Sequence, residues 1–283
     1  MSLANRLNHG ERSVAHALRR CAANVAAAFA LLTRPPRAHL RNSWPLAPQQ
    51  CAIAAAVAVA VLLLVMFLFD AATVRAVGHL PGWMNWSFDQ ITDFGKSGWF
   101  LWPLGVLFLV FAALPTLPHM PQRVLAAIMV RVGFLFTAIA VPSLFDTVIK
   151  RMIGRARPLV GGSLNPYLYS PFNWTNDYAS LPSGHATTAF AALVAFGSLW
   201  PRARTVMWIY ALLIAASRVV VTAHYPSDVL AAAAVGMIGA LLVRRWFALR
   251  RLGFSIAPDG AVRQWPGPSL RRIKSVARAA LSQ

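Results

Sequence analysis

The chain has 283 residues, of which 58 % are hydrophobic and only 12 % charged, yet its formal net charge is +19. A soluble domain typically carries about 25 % charged residues, so this composition excludes an ordinary soluble enzyme and points to lipid. The charge is also unevenly spread. Residues 1–50 hold seven Lys and Arg against one acid, Glu11, and residues 244–283 hold nine against one, Asp259. Basic flanks around apolar spans are what membrane topology produces, so no nucleic acid is expected as a partner and anionic headgroups are. The two cysteines, Cys21 and Cys51, give neither a disulfide framework nor a metal-ligand spacing.

In chain order, the basic N-terminal segment, residues 1–50, comes first. Val14, Leu18, Cys21, Val25, Phe29 and Leu32 recur at helical spacing. This predicts an amphipathic helix on the membrane surface with Arg12, His16, Arg19 and Arg20 toward water, in competition with a disordered basic tail. The apolar run near residue 22 is short and is followed by TRPPRAHLRNSWP, so it does not read as a cleaved signal. A spanning helix needs about 20 mostly apolar residues. Six stretches meet or approach this: 52–69, 99–117, 124–148, 185–200, 205–222 and 228–247. The expected fold is therefore all-α, a polytopic membrane protein with six transmembrane helices in one bundle over residues 51–247. The fourth span reaches adequate length only if the Pro-Ser-Gly-His residues before it form its first turn. A basic C-terminal tail, residues 248–283, ends in PSLRRIKSVARAALSQ, where Leu270, Ile273, Val276 and Ala280 fall on one face of a second surface helix.

Orientation follows from the Lys and Arg bias. With six spans both termini share a side, and that side holds nineteen basic residues against seven on the other. The termini are therefore expected in the cytoplasm, and the loops at 70–98, 149–184 and 219–227 outside. Trp83, Trp86, Trp99 and Trp102 at the outer level read as an interfacial aromatic belt.

Three polar islands fall on this outer side. The first is KRMIGRARP, residues 150–158, where Lys150 and Arg157 are two helical turns apart and face the same way if the helix persists. The second is PSGH, residues 182–185, where Ser183 suits an N-cap, Gly184 permits close backbone approach, and the helix start offers free N–H groups to an anion. The third is SRVVVTAHYPSD, residues 217–228. There Pro226 suits the first turn of the sixth helix, so that Asp228 can accept a hydrogen bond from His224. Each island alone has an ordinary explanation, as a membrane flank, a helix cap and a buried pair. Together they hold two imidazoles, a carboxylate, the cations Lys150, Arg157 and Arg218 and a helix-start anion site, a set suited to phosphoryl transfer. Cations and N–H donors stabilise the equatorial oxygens. One histidine attacks phosphorus, the carboxylate fixes its tautomer, and the other histidine protonates the leaving oxygen.

Lys, six residues, Arg-Pro; Pro-Ser-Gly-His; then Ser-Arg, five residues, His, three residues, Asp: this pattern resembles the type 2 phosphatidic acid phosphatase superfamily. All three signature segments match over residues 150–228, and the six-span layout extends the likeness to roughly 50–247. The resemblance implies that His224 is the nucleophile, forming a phosphohistidine. Asp228 then orients it, and His185 is the general acid for the leaving group. Lys150, Arg157 and Arg218, with Ser183 and the Gly184 backbone, would bind phosphate. Neither metal nor other cofactor is expected, because the basic residues supply the charge that Mg²⁺ supplies elsewhere. Lys96, in DFGKSGW, is a candidate contact to a second phosphate. Asp146, one turn before Lys150, is expected as its ion-pair partner, and Arg151 and Arg155 as headgroup or flank charges.

The implied function is metal-independent dephosphorylation of a membrane lipid at the outer face of a bacterial inner membrane, with the site toward the periplasm. Candidate substrates are undecaprenyl diphosphate, lipid A 1-phosphate, phosphatidylglycerol phosphate and phosphatidate. The alternatives are a lipid phosphotransferase using the same phosphohistidine, a non-catalytic lipid-binding protein and, more distantly, a vanadate-dependent haloperoxidase. A neutral His224 and a protonated His185 together imply a bell-shaped dependence on pH.

Overall fold

The structure, a computed structural model, describes residues 3–36 and 46–281, with side chains from residue 14 onward. The side chain of Arg12 and the basic stretch 37–45, both read above from sequence, lie outside the described residues. The helices are α1 (Leu3–Thr33), α2 (Pro48–Leu68), α3 (Asp70–Val77), α4 (Gly82–Thr92), α5 (Gly98–Ala113), α6 (His119–Ile153), α7 (Gly184–Leu199), α8 (Arg204–Val220), α9 (Pro226–Leu249) and α10 (Leu270–Leu281). A hairpin of β1 (Phe254–Ile256) and β2 (Val262–Gln264) precedes α10. The all-α membrane architecture expected from the sequence is therefore observed.

Among the described residues five helical runs are long and apolar enough to cross a membrane: Pro48–Leu68, Gly82–Ala113, His119–Ile153, Pro201–Val220 and Pro226–Leu249. α7 is apolar but has only 16 residues, so the count of six does not follow from length. The reason is local. Ser183 is extended (φ −79°, ψ 115°) and the helix starts at Gly184, so Pro182 and Ser183 do not form the expected first turn.

The chain divides into two compact units. Unit 2 comprises residues 44–101 and 137–244. Its core is α7, in which 12 of 16 residues are buried. Ala186, Ala189, Phe190 and Leu193 of α7 pack with Ala211, Ile214 and Ala215 of α8 and Ala232 and Ala233 of α9. Without a hydrophobic drive between helices in lipid, small residues supply the tight contact. Gly236 of α9 shows this: a Cβ there would lie 2.4 Å from the Thr187 carbonyl oxygen of α7. By contrast α2 buries no residue and presents its whole apolar surface outward, as a lipid-facing helix does.

Unit 1 comprises residues 1–43, 102–136 and 245–283. α1 is a helix, not a disordered tail. Asn24 Nδ2 donates to the Ala112 carbonyl at 2.8 Å, and Trp246 Nε1 donates to the Leu32 carbonyl at 3.0 Å. Val14, Leu18, Val25 and Phe29 of its apolar stripe are left exposed, as a membrane-surface helix requires. Phe134 of α6 packs edge-on against Phe247 and Phe254. α10 docks through Val276 on Leu117, Val124 and Leu125, with Ala280 packed beside it, whereas Leu270 and Ile273 of the face read from the sequence are exposed.

Candidate active site

The first two polar islands meet at the start of α7. Lys150, in the last turn of α6, pairs with Asp146 at 2.5 Å, as expected from their spacing, and the second oxygen of Asp146 accepts from Thr187 Oγ1 at 3.1 Å. A Cβ on Gly184 would sit 3.0 Å from Lys150 Nζ and 3.2 Å from Asp146 Oδ2. Glycine is thus what lets the α7 N-terminus approach the lysine. His185 follows on the first turn. Against its ring lies the Asp93–Gly95 turn, where a Cβ on Gly95 would come within 3.0 Å of His185 Cβ and Cδ2. Arg218, His224, Lys96 and Lys150 all lie within electrostatic reach of His185.

Arg157 does not reach the site along a helix face. α6 ends at Ile153, and Gly154 turns the chain with φ +64°. A side chain there would collide with Ser170, whose carbonyl oxygen would be 1.8 Å from a Cβ. Residues 155–157 instead run as an extended segment. It is tied by Ser180 N to the Arg155 carbonyl at 3.0 Å, by Ala156 N to the Leu168 carbonyl at 2.9 Å, and by Arg157 N to the Asp177 carbonyl at 2.7 Å. Arg151 staples the same loop by donating to the carbonyls of Trp174 and Thr175 and to Asn176 Oδ1. It therefore orders the loop, where the sequence reads a headgroup or flank charge.

The third island is the turn from α8 into α9. The N–H groups of Ala223 and His224 donate to the Arg218 carbonyl at 3.1 and 3.2 Å, so the histidine hangs from the end of the arginine's helix. Pro226 opens α9, as expected, and Ser183 N donates to the Asp228 carbonyl at 3.2 Å, joining the second island to the third. His224 is 2 % exposed. Its Nδ1 lies 2.8 Å from the Ser180 carbonyl oxygen, whereas the Asp228 carboxylate is 3.8 Å away. The latter is too long for a hydrogen bond, so the direct His224–Asp228 bond expected from their spacing is not made. A carbonyl oxygen only accepts, so in the neutral ring Nδ1 carries the proton and Nε2 the lone pair. Burial pushes the His224 pKa down to about 4; Asp228 opposes this and Arg218 and Arg157 add to it. At neutral pH the ring is uncharged.

What occupies Asp228 instead is the residue the sequence misassigns. Arg155, read as a flank charge, is fully buried. Its Nη1 donates to Asp228 Oδ1 at 2.6 Å and to Ser227 Oγ at 2.7 Å, its Nη2 donates to Asp70 Oδ2 at 2.7 Å, and its Nε donates to the Pro166 carbonyl at 3.1 Å. The guanidinium also lies over the Tyr225 ring, 4.4 Å from its centroid. Burial alone would weaken the charge, but Asp228 and Asp70 more than offset it and hold the Arg155 pKa above its ordinary value. Asp228 Oδ2 accepts from Ser180 Oγ at 2.6 Å and from Tyr225 N at 2.9 Å. Asp70, just after α2, completes the cluster by accepting from Ser227 N at 2.9 Å and Ser227 Oγ at 2.5 Å.

Among the described residues, Arg157 Nε, Ser183 Oγ and Arg218 Nε are buried here without hydrogen-bond partners, as is Tyr225 Oη. Ser183 holds the N-cap position of α7 but makes no capping bond with its hydroxyl. Arg218 spends Nη1 on Thr92 Oγ1 at 2.6 Å. Burial pulls the Arg157 pKa below its ordinary value. A buried donor left unsatisfied costs about 1–3 kcal/mol, more when charged, and an anion with several acceptor oxygens satisfies such donors together. Lys96 is exposed and paired with Asp93 at 2.8 Å. Among the described residues no group of three or more His, Cys, Asp or Glu side chains is placed to hold a metal ion. The arrangement offers a neutral imidazole nitrogen beside cationic and hydroxyl donors, with a second imidazole at a helix start.

The chain is similar to known proteins. Residues 131–252 match the sequence model of the PAP2 superfamily. Two relatives named lipid A 1-phosphatase, from Rhizobium johnstonii and Rhizobium etli, are each 35 % identical, over 203 and 211 residues. These alignments cover 71 % of this chain and 81 % and 85 % of the relatives. Among solved structures, Aquifex aeolicus LpxE superposes with a TM-score of 0.46 at 18 % identity, covering 62 % of this chain and 94 % of its own. A PAP2-type phosphatidylglycerolphosphate phosphatase from Bacillus subtilis does so with a TM-score of 0.47 at 19 % identity, covering 68 % and 94 %.

Proposed function

The chain belongs to the PAP2 superfamily and is an integral membrane lipid phosphatase, and on that premise we propose that it removes the 1-phosphate of lipid A through a phosphohistidine on His224. The observation that carries the mechanism is the His224 ring, neutral and with its Nδ1 proton committed to the Ser180 carbonyl, beside the unpartnered Arg157, Ser183 and Arg218 donors. The substrate is supported by the two lipid A 1-phosphatases, each 35 % identical to this chain.

The lipid phosphate lies against Lys150, Arg157, Arg218, the Ser183 hydroxyl and the Gly184 N–H. His224 Nε2 attacks phosphorus, and the bond to the lipid oxygen breaks. His185 gives its proton to that oxygen, which leaves as a hydroxyl. His185 then takes a proton from water as the water oxygen attacks phosphorus, the P–N bond breaks, and inorganic phosphate departs. Cationic side chains supply the charge stabilisation in this cycle, and no step passes through a metal. Asp228, 3.8 Å from Nδ1, favours the positive charge that the ring acquires on phosphorylation. Lys96 is reserved for a second negative group on the headgroup. The charge bias supports a topology with both basic termini in the cytoplasm and this site at the periplasmic face.

The test is phosphate release from lipid A, undecaprenyl diphosphate, phosphatidylglycerol phosphate and phosphatidate by purified protein in EDTA. Release from lipid A well above the others supports the assignment. Preference for another lipid overturns the substrate and leaves the chemistry standing. Phosphate recovered on a lipid acceptor instead of in solution identifies a transferase.

A further inference from the structure

We infer that Asp70 and Ser180, neither of them in a signature segment, are positioning residues for the nucleophile, acting on His224 through Arg155 and Asp228. The inference rests on the phosphohistidine role of His224 proposed above.

The argument begins with what His224 touches. Among the described residues, the only group within hydrogen-bonding distance of its Nδ1 is the Ser180 carbonyl, at 2.8 Å. The orientation of the ring therefore depends on where residue 180 is held. Ser180 is fixed at two further points. Its N–H donates to the Arg155 carbonyl at 3.0 Å, and its hydroxyl donates to Asp228 Oδ2 at 2.6 Å. Asp228 thus reaches the histidine by one extra residue. Its own direction is set by Arg155, which takes Oδ1 and leaves Oδ2 for Ser180 and the Tyr225 N–H.

One arginine fork with one carboxylate does not define a unique position, because the guanidinium still rotates about its long side chain. Asp70 removes that freedom. It takes the second Nη of Arg155 at 2.7 Å and is itself fixed by the backbone and hydroxyl of Ser227, the residue before Asp228. Ser227 Oγ also accepts from Arg155 Nη1 at 2.7 Å. The ring is closed through the chain: Asp70, Arg155, Asp228 and Ser227 are all fully buried, Arg155 bonds the other three, Ser227 bonds Asp70, and Asp228 is joined to Ser227 by the peptide bond. Such a cluster has no slack, so removing one member displaces Ser180 and with it the attacking nitrogen. Misplacement of a reacting atom by about 1 Å costs on the order of 100-fold in rate. Two of the phosphate-binding side chains hang on other supports, Lys150 on Asp146 and Arg218 on Thr92, so substrate binding is affected less than the attack.

The experiment compares wild type with Asp70→Asn, Arg155→Lys and Ser180→Ala in detergent. It reads kcat, KM, inhibition by inorganic phosphate and thermal unfolding. Asp70→Asn keeps the shape and loses the charge; Arg155→Lys keeps the charge and loses the fork. Both are expected to lower kcat about 10- to 100-fold with KM and the phosphate inhibition constant unchanged within about twofold. Ser180→Ala removes one hydroxyl, leaves the fold intact, and is expected to lower kcat about tenfold with the same pattern. Should the charge variants fail to fold, Ser180→Ala decides. Wild-type kcat in folded Asp70→Asn or in Ser180→Ala overturns the inference, and so does a loss of phosphate binding in step with kcat. A wild-type protein inactive on every lipid phosphate would instead overturn the underlying reading of His224.

Discussion

The two compact units hold their cations in different ways. Unit 1 carries 17 of the 27 Lys and Arg residues and two of the eight acids; unit 2 carries ten and six. In unit 2 two of the cations at the site are fixed by carboxylates: Arg155 by Asp70 and Asp228, Lys150 by Asp146. Among the described side chains of unit 1, Asp259 is the only carboxylate, exposed and paired loosely with Arg263 at 3.4 Å. Cations there rest on carbonyls and rings. Arg131 donates to the Trp265 and Pro266 carbonyls, and Arg250 stacks on Trp246 at 3.6 Å from the ring centroid. Carboxylates fix a cation in one place, which chemistry at a phosphorus atom demands. A cation left facing outward suits a diffuse anionic surface, which a membrane leaflet supplies.

The largest way to break this contrast is at the nucleophile. His224→Ala is expected to lower kcat on the order of 10⁴-fold or more, read as phosphate release, with folding retained. Next come the phosphate donors. Arg157→Ala or Arg218→Ala is expected to cost about 10²- to 10³-fold in kcat/KM. The matched changes Arg251→Ala and Arg271→Ala in unit 1 should leave it unchanged, and an equal loss from either would erase the distinction between the units.

The pH dependence is smaller. His224 has its pKa depressed from 6.5 to about 4, so the ring is neutral and nucleophilic above about pH 4. Activity is expected to fall on the acid side as pH drops through that value. The depressed pKa also means that the unfolded chain takes up the proton first. The resulting stability is fully present above about pH 6.5 and is lost between there and about pH 4, on the order of 3 kcal/mol. Thermal unfolding at pH 7.5 and pH 4.5 checks this, and His224→Gln should remove most of the difference. The smallest effect belongs to unit 1. Arg271→Gln, Arg272→Gln and Lys274→Gln together should leave kcat within about twofold. They should also abolish the extra hydrogen-exchange protection that α10 gains in anionic over zwitterionic nanodiscs, at about 1 kcal/mol per residue.

Much of this was legible in the sequence where the signal is local. Five of the six expected spans follow from apolar length, and α10 from its one-sided spacing. A close approach to the α7 N-terminus was legible in Gly184, though not that Lys150 makes it. What was illegible is non-local. Arg155 sits two residues from Arg157 and looks like another flank charge, yet its carboxylate partners are 85 and 73 residues away. No spacing rule connects Asp70 to either. The expected His224–Asp228 bond failed for a related reason: four-residue spacing brings the two side chains close, but Arg155, Ser180 and the Tyr225 N–H had already claimed the carboxylate. Gly154 was a readable warning. A glycine just past the last periodic residue of α6 marks a helix stop, and its φ of +64° is what sends Arg157 off the helix.

The central claim is that a neutral His224, set among metal-free cations, cleaves a lipid phosphate. The most direct test is inorganic phosphate release from lipid A by purified protein in EDTA, run beside His224→Ala. The account predicts sustained release by the wild type and none above background by the variant. Release that requires added divalent metal, or that survives in His224→Ala, would contradict it.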